Sequence, residues 1–258
     1  MSRISALFAR KKNGVLNVYC TAGYPHLDST VKIMKALRDN GADLIELGMP
    51  YSDPLADGPV IQQSNSIALA NGITIQKLFG QLKNMRENGL GDTPVILMGY
   101  MNPVLQYGFE KFCSAAAEVG VDALILPDLP EHEFETEYGP IVKIYGLDFI
   151  FLVTPETSEE RVKKLDKLSS GFLYAVSSSS TTGSDKNMTD VKKYLQRLQG
   201  YQLKNPVLAG FGIKDKRTFS DACQSASGAI IGTAFIKALE NSQNEENSVK
   251  QFLNGIIG

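Results

Sequence analysis

The sequence has no tryptophan, two histidines and three cysteines in 258 residues, and these scarcities exclude several kinds of site. His26 and His132 stand alone without metal-ligand spacing, so a histidine-based metal centre is not indicated. The cysteines are odd in number, lie far apart and form no Cys-x-x-Cys pair, which argues against a disulfide framework and a zinc site. Reduced thiols are typical of a cytosolic protein, and we expect the chain in the cytoplasm.

An excess of one charge and a long apolar run are also absent. The formal net charge is −2, so nothing indicates binding to nucleic acid or to an anionic membrane. No apolar segment approaches the length of a membrane span, and residues 1–14 are too polar for a signal peptide. Neither a Gly-x-Ser-x-Gly nor a Walker sequence occurs, so any chemistry falls to the carboxylates.

A short pattern of glycine, one further residue and aspartate recurs three times, each time before an apolar run. A glycine that follows a helix tolerates the left-handed backbone that ends it. An uninterrupted apolar run is typical of a parallel strand that is buried on both faces. The copies are Gly41-Ala42-Asp43 before residues 44–47, Gly120-Val121-Asp122 before 123–126 and Gly146-Leu147-Asp148 before 149–152.

Strands and helices alternate along the whole chain. The predicted strands are residues 16–21, 44–47, 95–98, 123–126, 149–152, 172–176, 207–209 and 229–231. A helix is predicted before Gly41, and others at 75–88, 109–119, 131–145, 158–168, 189–198 and 215–224, with a last helix after the acidic connection at 240–247. Eight such units favour a (β/α)8 barrel, although an open doubly wound sheet has the same local signals. Because no Pro- or Ser-rich linker divides the chain, we expect one domain over residues 1–258.

Glycines follow the last three predicted strands, where barrels often bind phosphate. Gly183, Gly212 and Gly232 are in these places, and Thr233 follows the last of them. Glycine lets backbone N–H groups approach an anion closely, so the pattern predicts a phosphate site. Tight turns without a ligand are the alternative. The serines at 177–180 lack an obvious base and fit loop or anion contacts better than a nucleophile.

One carboxylate stands inside an apolar run, in the segment LIELGMPYSDPLADGP. Burial raises the pKa of a carboxyl group, and a neighbouring carboxylate raises it further. Asp57 follows Glu46 by eleven residues, in a loop that can fold back over the strand end. Glu46 is therefore a candidate general acid and base at neutral pH. The alternative is an outward-facing glutamate that forms a salt bridge with a helix.

The segment from Glu46 to Pro59 closely resembles the signature of the tryptophan synthase alpha subunits. Supporting matches run along nearly the whole chain: residues 21–25, 100–103, 127–130, 210–213 and 228–233. The resemblance implies the (β/α)8 barrel and a retro-aldol cleavage of indole-3-glycerol phosphate to indole and glyceraldehyde 3-phosphate. By this resemblance Glu46 is the catalytic acid and base, and Asp57 accepts a hydrogen bond from the indole N–H.

The resemblance also implies the binding residues. Tyr174 would lie beside Glu46, and the phosphate would sit on backbone N–H groups of Gly183, Gly212 and Thr233, with Gly232 beside them. The indole slot and its surroundings would draw on Tyr19, Met98, Ile125, Leu152, Phe211, Ile230 and Thr182. The apolar residues among these also fit an ordinary core. No metal or cofactor is implied for this chain.

The implied partner is a pyridoxal-phosphate-dependent beta subunit in an α2β2 heterotetramer, which residues 51–59 and Pro103 would face. Many members of the family carry arginine and glycine where this chain has Ser178 and Ser180, a departure that bears on loop closure. Three alternatives remain: a free-standing lyase that releases indole, a non-catalytic activating subunit, and another phosphate-binding barrel enzyme.

Overall fold

A computed structural model describes residues 1–177, 188–240 and 242–258 of the chain. The strands in these residues are β1 (Val15–Thr21), β2 (Leu44–Gly48), β3 (Val95–Met98), β4 (Ala123–Ile125), β5 (Asp148–Phe149), β6 (Leu152–Val153), β7 (Leu173–Ala175), β8 (Val207–Ala209) and β9 (Gly228–Ile231). The helices are α1 (Arg3–Arg10), α2 (Ser29–Asp39), α3 (Pro59–Ala70), α4 (Ile75–Leu82), α5 (Met101–Tyr107), α6 (Phe109–Glu118), α7 (Glu131–Glu133), α8 (Gly139–Ile144), α9 (Glu159–Leu168), α10 (Met188–Gly200), α11 (Lys216–Cys223), α12 (Thr233–Leu239) and α13 (Glu245–Ile257). Single π-helical turns span Arg86–Leu90 and Phe134–Tyr138.

All strand pairs are parallel, and the strands follow one another in the order β5-β4-β3-β2-β1-β9-β8-β7-β6. The two outermost strands, β5 and β6, lie in one continuous segment, residues 148–153. β5 pairs with β4, and β6 pairs with β7. Between them, the Ile150 N–H donates to the Leu124 carbonyl at 3.0 Å, and the Tyr174 N–H donates to the Phe151 carbonyl at 3.0 Å. The sheet therefore closes on itself, and the prediction of a barrel is confirmed over an open sheet.

The prediction of one continuous fifth strand at residues 149–152 was wrong. The segment forms two short strands because it leaves the β4 ladder before it joins the β7 ladder. The other seven predicted strands lie within one or two residues of the observed ones. Four helices were missed, namely α1, α3, α5 and α12. Within the described ranges, no helix is both long and apolar enough to cross a membrane.

The Gly-x-Asp repeat joins each helix end to a neighbouring strand. Gly41, Gly120 and Gly146 have φ values of +100°, +85° and +67°, which is the left-handed backbone that glycine tolerates. The Asp43 carboxylate accepts a hydrogen bond from the Leu16 N–H at 2.8 Å. The Asp122 carboxylate accepts one from the Val95 N–H at 2.8 Å. The repeat thus fixes where strands β2 and β4 enter the barrel beside β1 and β3.

The barrel interior is packed, and helix α1 covers the end of the barrel where the strands begin. Ile4 and Leu7 of α1 are fully buried and pack with interior residues such as Phe172 and Leu44. This cluster fills the lower barrel by the hydrophobic effect, so that the carboxyl ends of the strands remain for a site. The polar residues of the interior lie above it on β1 and β2, beginning at Asn17 and Glu46, which are both fully buried.

Candidate active site

Glu46 lies inside the barrel at the middle of β2. Side chains two apart in a strand share a face, so Glu46 faces the interior with Leu44, which belongs to the interior core. Its side chain is fully buried, and Oε2 accepts a hydrogen bond from the Asn17 amide at 2.9 Å. The alternative of an outward-facing glutamate in a salt bridge is wrong. Burial raises the pKa of Glu46 to about 8, although the Asn17 hydrogen bond lowers it and Asp57 raises it further.

Asp57 lies in the loop that follows β2 and comes back over the barrel mouth. Its Oδ2 accepts a hydrogen bond from the Tyr100 hydroxyl at 2.9 Å. Burial raises the pKa of Asp57 to about 6, and the Tyr100 hydrogen bond lowers it. The Asp57 charge in turn raises the pKa of Glu46 and of the Tyr19 phenol. At neutral pH this arrangement favours an ionised Asp57 beside a protonated Glu46.

Two buried tyrosines, Tyr19 and Tyr174, line the space around these carboxylates. Tyr19 is directly opposite Glu46 in the β1–β2 ladder. Burial raises the pKa of both phenols well above the ordinary value, and the Asp57 and Glu46 charges raise it further. A glycine at the end of β2 and another directly after β8 make room for the rings. A Cβ atom on Gly48 would overlap the Tyr19 ring and hydroxyl, and one on Gly210 would overlap the Tyr174 ring.

The structure brings together most of the predicted apolar slot. Met98, Ile125, Leu152 and Ile230 pack in the same interior cluster as Tyr174. Phe211 is also buried but belongs to the larger cluster between sheet and helices, where its ring lies 6.2 Å from the Tyr194 ring. Thr182 lies outside the described residues, as do Gly183, Ser178 and Ser180.

The predicted phosphate residues Gly212, Gly232 and Thr233 follow neighbouring strands. Strands β8 and β9 pair directly, so the loops that leave their carboxyl ends lie side by side. Gly212 has φ +68°, and no atom lies within 4 Å of where its Cβ would be. A Cβ on Gly232 would lie 3.6 Å from the Tyr19 Cβ, which puts this turn next to the predicted slot.

Sequence reasoning missed Asn17, Tyr100, Gly48 and Gly210 as parts of the site. Asn17 had a usable signal, since it is a polar residue inside an apolar run. Tyr100 is in a segment that matched the family, but no role followed from the match. The two glycines gave no signal, because the rings that need their space come from other strands.

In the described part of the chain, no group of three or more histidine, cysteine, aspartate or glutamate side chains is arranged to hold a metal ion. His26 and His132 are both exposed, as expected from the sequence. The three cysteines are free thiols, and burial raises the pKa of Cys20 and Cys113 to about 12.

The closed parallel barrel, with fully buried Glu46 inside it and half-buried Asp57 in the loop after the same strand, is the architecture of a barrel enzyme whose site lies at the carboxyl ends of the strands. A family model described as "Tryptophan synthase alpha chain" matches residues 5–255. The chain belongs to this family. It is a carbon–carbon lyase that cleaves indole-3-glycerol phosphate to indole and glyceraldehyde 3-phosphate in tryptophan biosynthesis.

Similar proteins cover almost the whole chain. The tryptophan synthase alpha chain of Flavobacterium johnsoniae is 49% identical over 99% of this chain and 100% of its own length. That of Parabacteroides distasonis is 46% identical over 99% of each. The crystal structure of tryptophan synthase subunit alpha from Legionella pneumophila has a TM-score of 0.89 at 34% identity, covering 99% of this chain and 97% of that one. A chain in a crystal structure of the tryptophan synthase complex from Pyrococcus furiosus has a TM-score of 0.85 at 33% identity, covering 96% and 99%.

Proposed function

We propose that Glu46 and Asp57 carry the cleavage through their different protonation states. The observation that supports this role is the placement of a fully buried Glu46 in β2 and a half-buried Asp57 in the loop after it, where burial raises their pKa values to about 8 and about 6. A protonated Glu46 donates its proton to C3 of the indole ring. An ionised Asp57 accepts a hydrogen bond from the ring N–H and stabilises the positive charge of the indolenine that forms. Such a charge is worth most where water is excluded.

The Glu46 carboxylate then acts as the base. It removes the proton of the glycerol hydroxyl next to the ring, and the oxygen electrons form the aldehyde carbonyl. The carbon–carbon bond to C3 breaks, and its electron pair returns to the ring, which neutralises the indolenine and gives indole. Glu46 ends protonated, as it began, so one residue serves both steps.

The substrate would lie across the barrel mouth. We assign the indole end to Tyr19, Met98, Ile125, Leu152, Tyr174, Phe211 and Ile230, and Thr182 to substrate binding as well. The phosphate end falls to the backbone N–H groups of Gly183, Gly212 and Thr233, with Gly232 beside them. A Cβ added to Gly232 would lie 3.6 Å from the Tyr19 Cβ, and this closeness of the turn after β9 to the proposed slot supports the arrangement.

The partner would be the beta subunit of tryptophan synthase, in an α2β2 heterotetramer that passes indole between active sites. In this proposal the chain is a single cytoplasmic domain without a cofactor of its own, and pyridoxal phosphate belongs to the partner. Leu55, in the loop that carries Asp57, is 85% exposed and supports a docking role for residues 51–59. Pro103 and the half-exposed Leu105 would extend the same surface.

The test is to assay the purified chain with indole-3-glycerol phosphate, with and without a beta subunit. We expect weak cleavage alone and strong activation by the partner. Glu46→Gln and Asp57→Asn should each lower kcat at least 100-fold. Glu159→Gln, on an exposed helix surface, is the control that should keep full activity. Full activity without a partner would identify a free-standing lyase. No cleavage by the folded chain under either condition would leave an activating subunit or a different substrate.

A further inference from the structure

The hydroxyl of Tyr100 bonds two consecutive residues of the loop after β2. It donates to the Asp57 carboxylate at 2.9 Å and accepts from the Ala56 N–H at 3.1 Å. In the described part of the chain, Tyr100 is the hydrogen-bond donor to this carboxylate. One phenol therefore holds both the backbone and the side chain of the segment that carries Asp57.

The ring and the following backbone of Tyr100 are themselves held in place. The ring centroid lies 5.3 Å from that of Tyr51, whose hydroxyl accepts a hydrogen bond from the Asn102 amide at 3.1 Å. The next residue, Met101, donates its N–H to both Asp128 carboxylate oxygens at 3.0 Å. These contacts connect the loops that follow β2, β3 and β4, so Tyr100 is a rigid support and not a free surface phenol.

We propose that Tyr100 is a positioning residue, whose hydroxyl fixes the loop after β2 so that the Asp57 carboxylate faces the ring nitrogen of the substrate. The inference rests on the proposed role of Asp57. A carboxylate on a loop has rotational freedom that an acceptor for one N–H group must lose. Tyr100, just after the neighbouring strand β3, removes that freedom before the substrate binds. In this proposal it does so without touching the reacting atoms.

The surroundings of Asp57 give Tyr100 a second effect. The ionisable groups that act on Asp57 or feel its charge are Tyr19, Glu46, Tyr100 and Tyr174. The Asp128 charge acts on Tyr100 from the other side. Burial and the Asp57 charge raise the pKa of Tyr100, so the phenol stays protonated and keeps donating. Its hydrogen bond opposes the effect of burial on the pKa of Asp57.

The test compares Tyr100→Phe with Tyr145→Phe. Tyr145 also donates its hydroxyl to a carboxylate, that of Glu110 at 3.3 Å, but on an exposed surface away from the site. Tyr100→Phe should lower the plateau kcat about tenfold with a smaller change in KM, because a hydrogen bond to a charged group is lost. The acidic midpoint of kcat/KM and the pKa of Asp57, followed by carbon-13 NMR, should each rise by about one unit. Tyr145→Phe should change none of these.

Two further variants separate the possible failures. If Asp57→Asn keeps wild-type activity, the proposed function of Asp57 fails and the Tyr100 inference falls with it. If Asp57→Asn lowers kcat at least 100-fold but Tyr100→Phe keeps the wild-type midpoint and NMR pKa, the Tyr100 inference alone is overturned. In the Asp57→Asn background, Tyr100→Phe should add no further loss of kcat. An additional loss there would mean that Tyr100 acts through general stability, which also contradicts the inference.

Discussion

The Asn17 amide N–H donates to Oε2 of Glu46 at 2.9 Å, and in the described structure Glu46 Oε1 and Asn17 Oδ1 are both buried without a hydrogen-bond partner. A single hydrogen bond does not replace the water that an ionised carboxylate loses on burial. The imbalance explains why the pKa of Glu46 rises to about 8 despite the Asn17 contact. It also leaves Oε1 as the atom available to a substrate hydroxyl.

The activity should have a bell-shaped dependence on pH. Cleavage needs an ionised Asp57, whose pKa is about 6, and a protonated Glu46, whose pKa is about 8. We therefore expect kcat/KM to fall below pH 6 and above pH 8, with a maximum near pH 7. The two groups interact, so the midpoints belong to the pair. A profile that stays flat from pH 5 to pH 9 would contradict both assignments.

Asn17→Leu should move the alkaline limb of that profile. The leucine is similar in size but donates no hydrogen bond, so the ionised form of Glu46 loses its partner. The pKa of Glu46 should rise by about one unit, and the alkaline midpoint of kcat/KM should rise with it. The acidic midpoint should stay in place. An alkaline midpoint that moves down would show that Asn17 does not stabilise the carboxylate.

Glu46→Gln should remove a pH-dependent instability. The folded pKa of Glu46, about 8, lies above its ordinary value of 4.5. Between pH 4.5 and pH 8 the carboxyl group ionises in the unfolded chain but stays protonated in the folded one. The free energy of unfolding of the wild type therefore falls as the pH rises through this range. Glutamine carries no charge at either pH. Relative to the wild type, the variant should gain on the order of 2–4 kcal/mol in free energy of unfolding between pH 5 and pH 8.

Urea unfolding of both proteins at the two pH values measures this change. The amide of the new glutamine has its own burial cost, but this cost is the same at both pH values and cancels in the comparison. A constant difference between variant and wild type would mean that Glu46 does not carry its raised pKa in the folded chain.

The barrel could be predicted from the sequence because short segments of the chain determine where its strands lie and where its helices end. The Gly-x-Asp repeat placed β2 and β4, since the glycine conformation and the apolar run act within a few residues. Helix α1 also had a readable pattern, with Ile4, Leu7 and Phe8 spaced three and four apart, but it was missed. The division of the predicted fifth strand into β5 and β6 arises from barrel closure, which no local pattern contains.

The direction of Glu46 was not readable for a related reason. Every residue of β2 is buried, so the strand has no polar face that would show which side points into the barrel. Only the family resemblance favoured the interior. The Tyr100–Asp57 contact joins residues 43 apart in the chain, and sequence spacing alone gives no distance for such a pair.

Gly48→Ala should displace Tyr19. The backbone of Gly48 is not left-handed, so the cost comes from the space that the Tyr19 ring and hydroxyl occupy. Such overpacking typically costs 1–3 kcal/mol, and we expect about that loss of unfolding free energy together with a lower kcat/KM. Gly80→Ala is the matched control, because no atom lies within 4 Å of its Cβ position on α4. It should stabilise the chain slightly.

A double-mutant cycle with Tyr19→Leu tests the cause. If the ring is the obstacle, Gly48→Ala should cost less in the Tyr19→Leu background than in the wild type. Additive effects of the two substitutions on unfolding free energy would show that the alanine disturbs something else.

Gly232 offers a test of the phosphate end in which size and charge are separated. An alanine Cβ there meets Ile61 and Tyr19 at 3.6 Å, an ordinary contact, so Gly232→Ala should keep KM within about threefold of the wild type. Gly232→Asp adds a negative charge where the phosphate is proposed to bind. It should raise KM at least tenfold, and the difference between the two variants should shrink at high ionic strength, because salt screens the repulsion. Inorganic phosphate should inhibit competitively, with an inhibition constant close to that of the wild type in Gly232→Ala and a higher one in Gly232→Asp. Equal KM values for the alanine and aspartate variants would place the phosphate away from this turn and leave the glycines after β8 and β9 as structural turns alone.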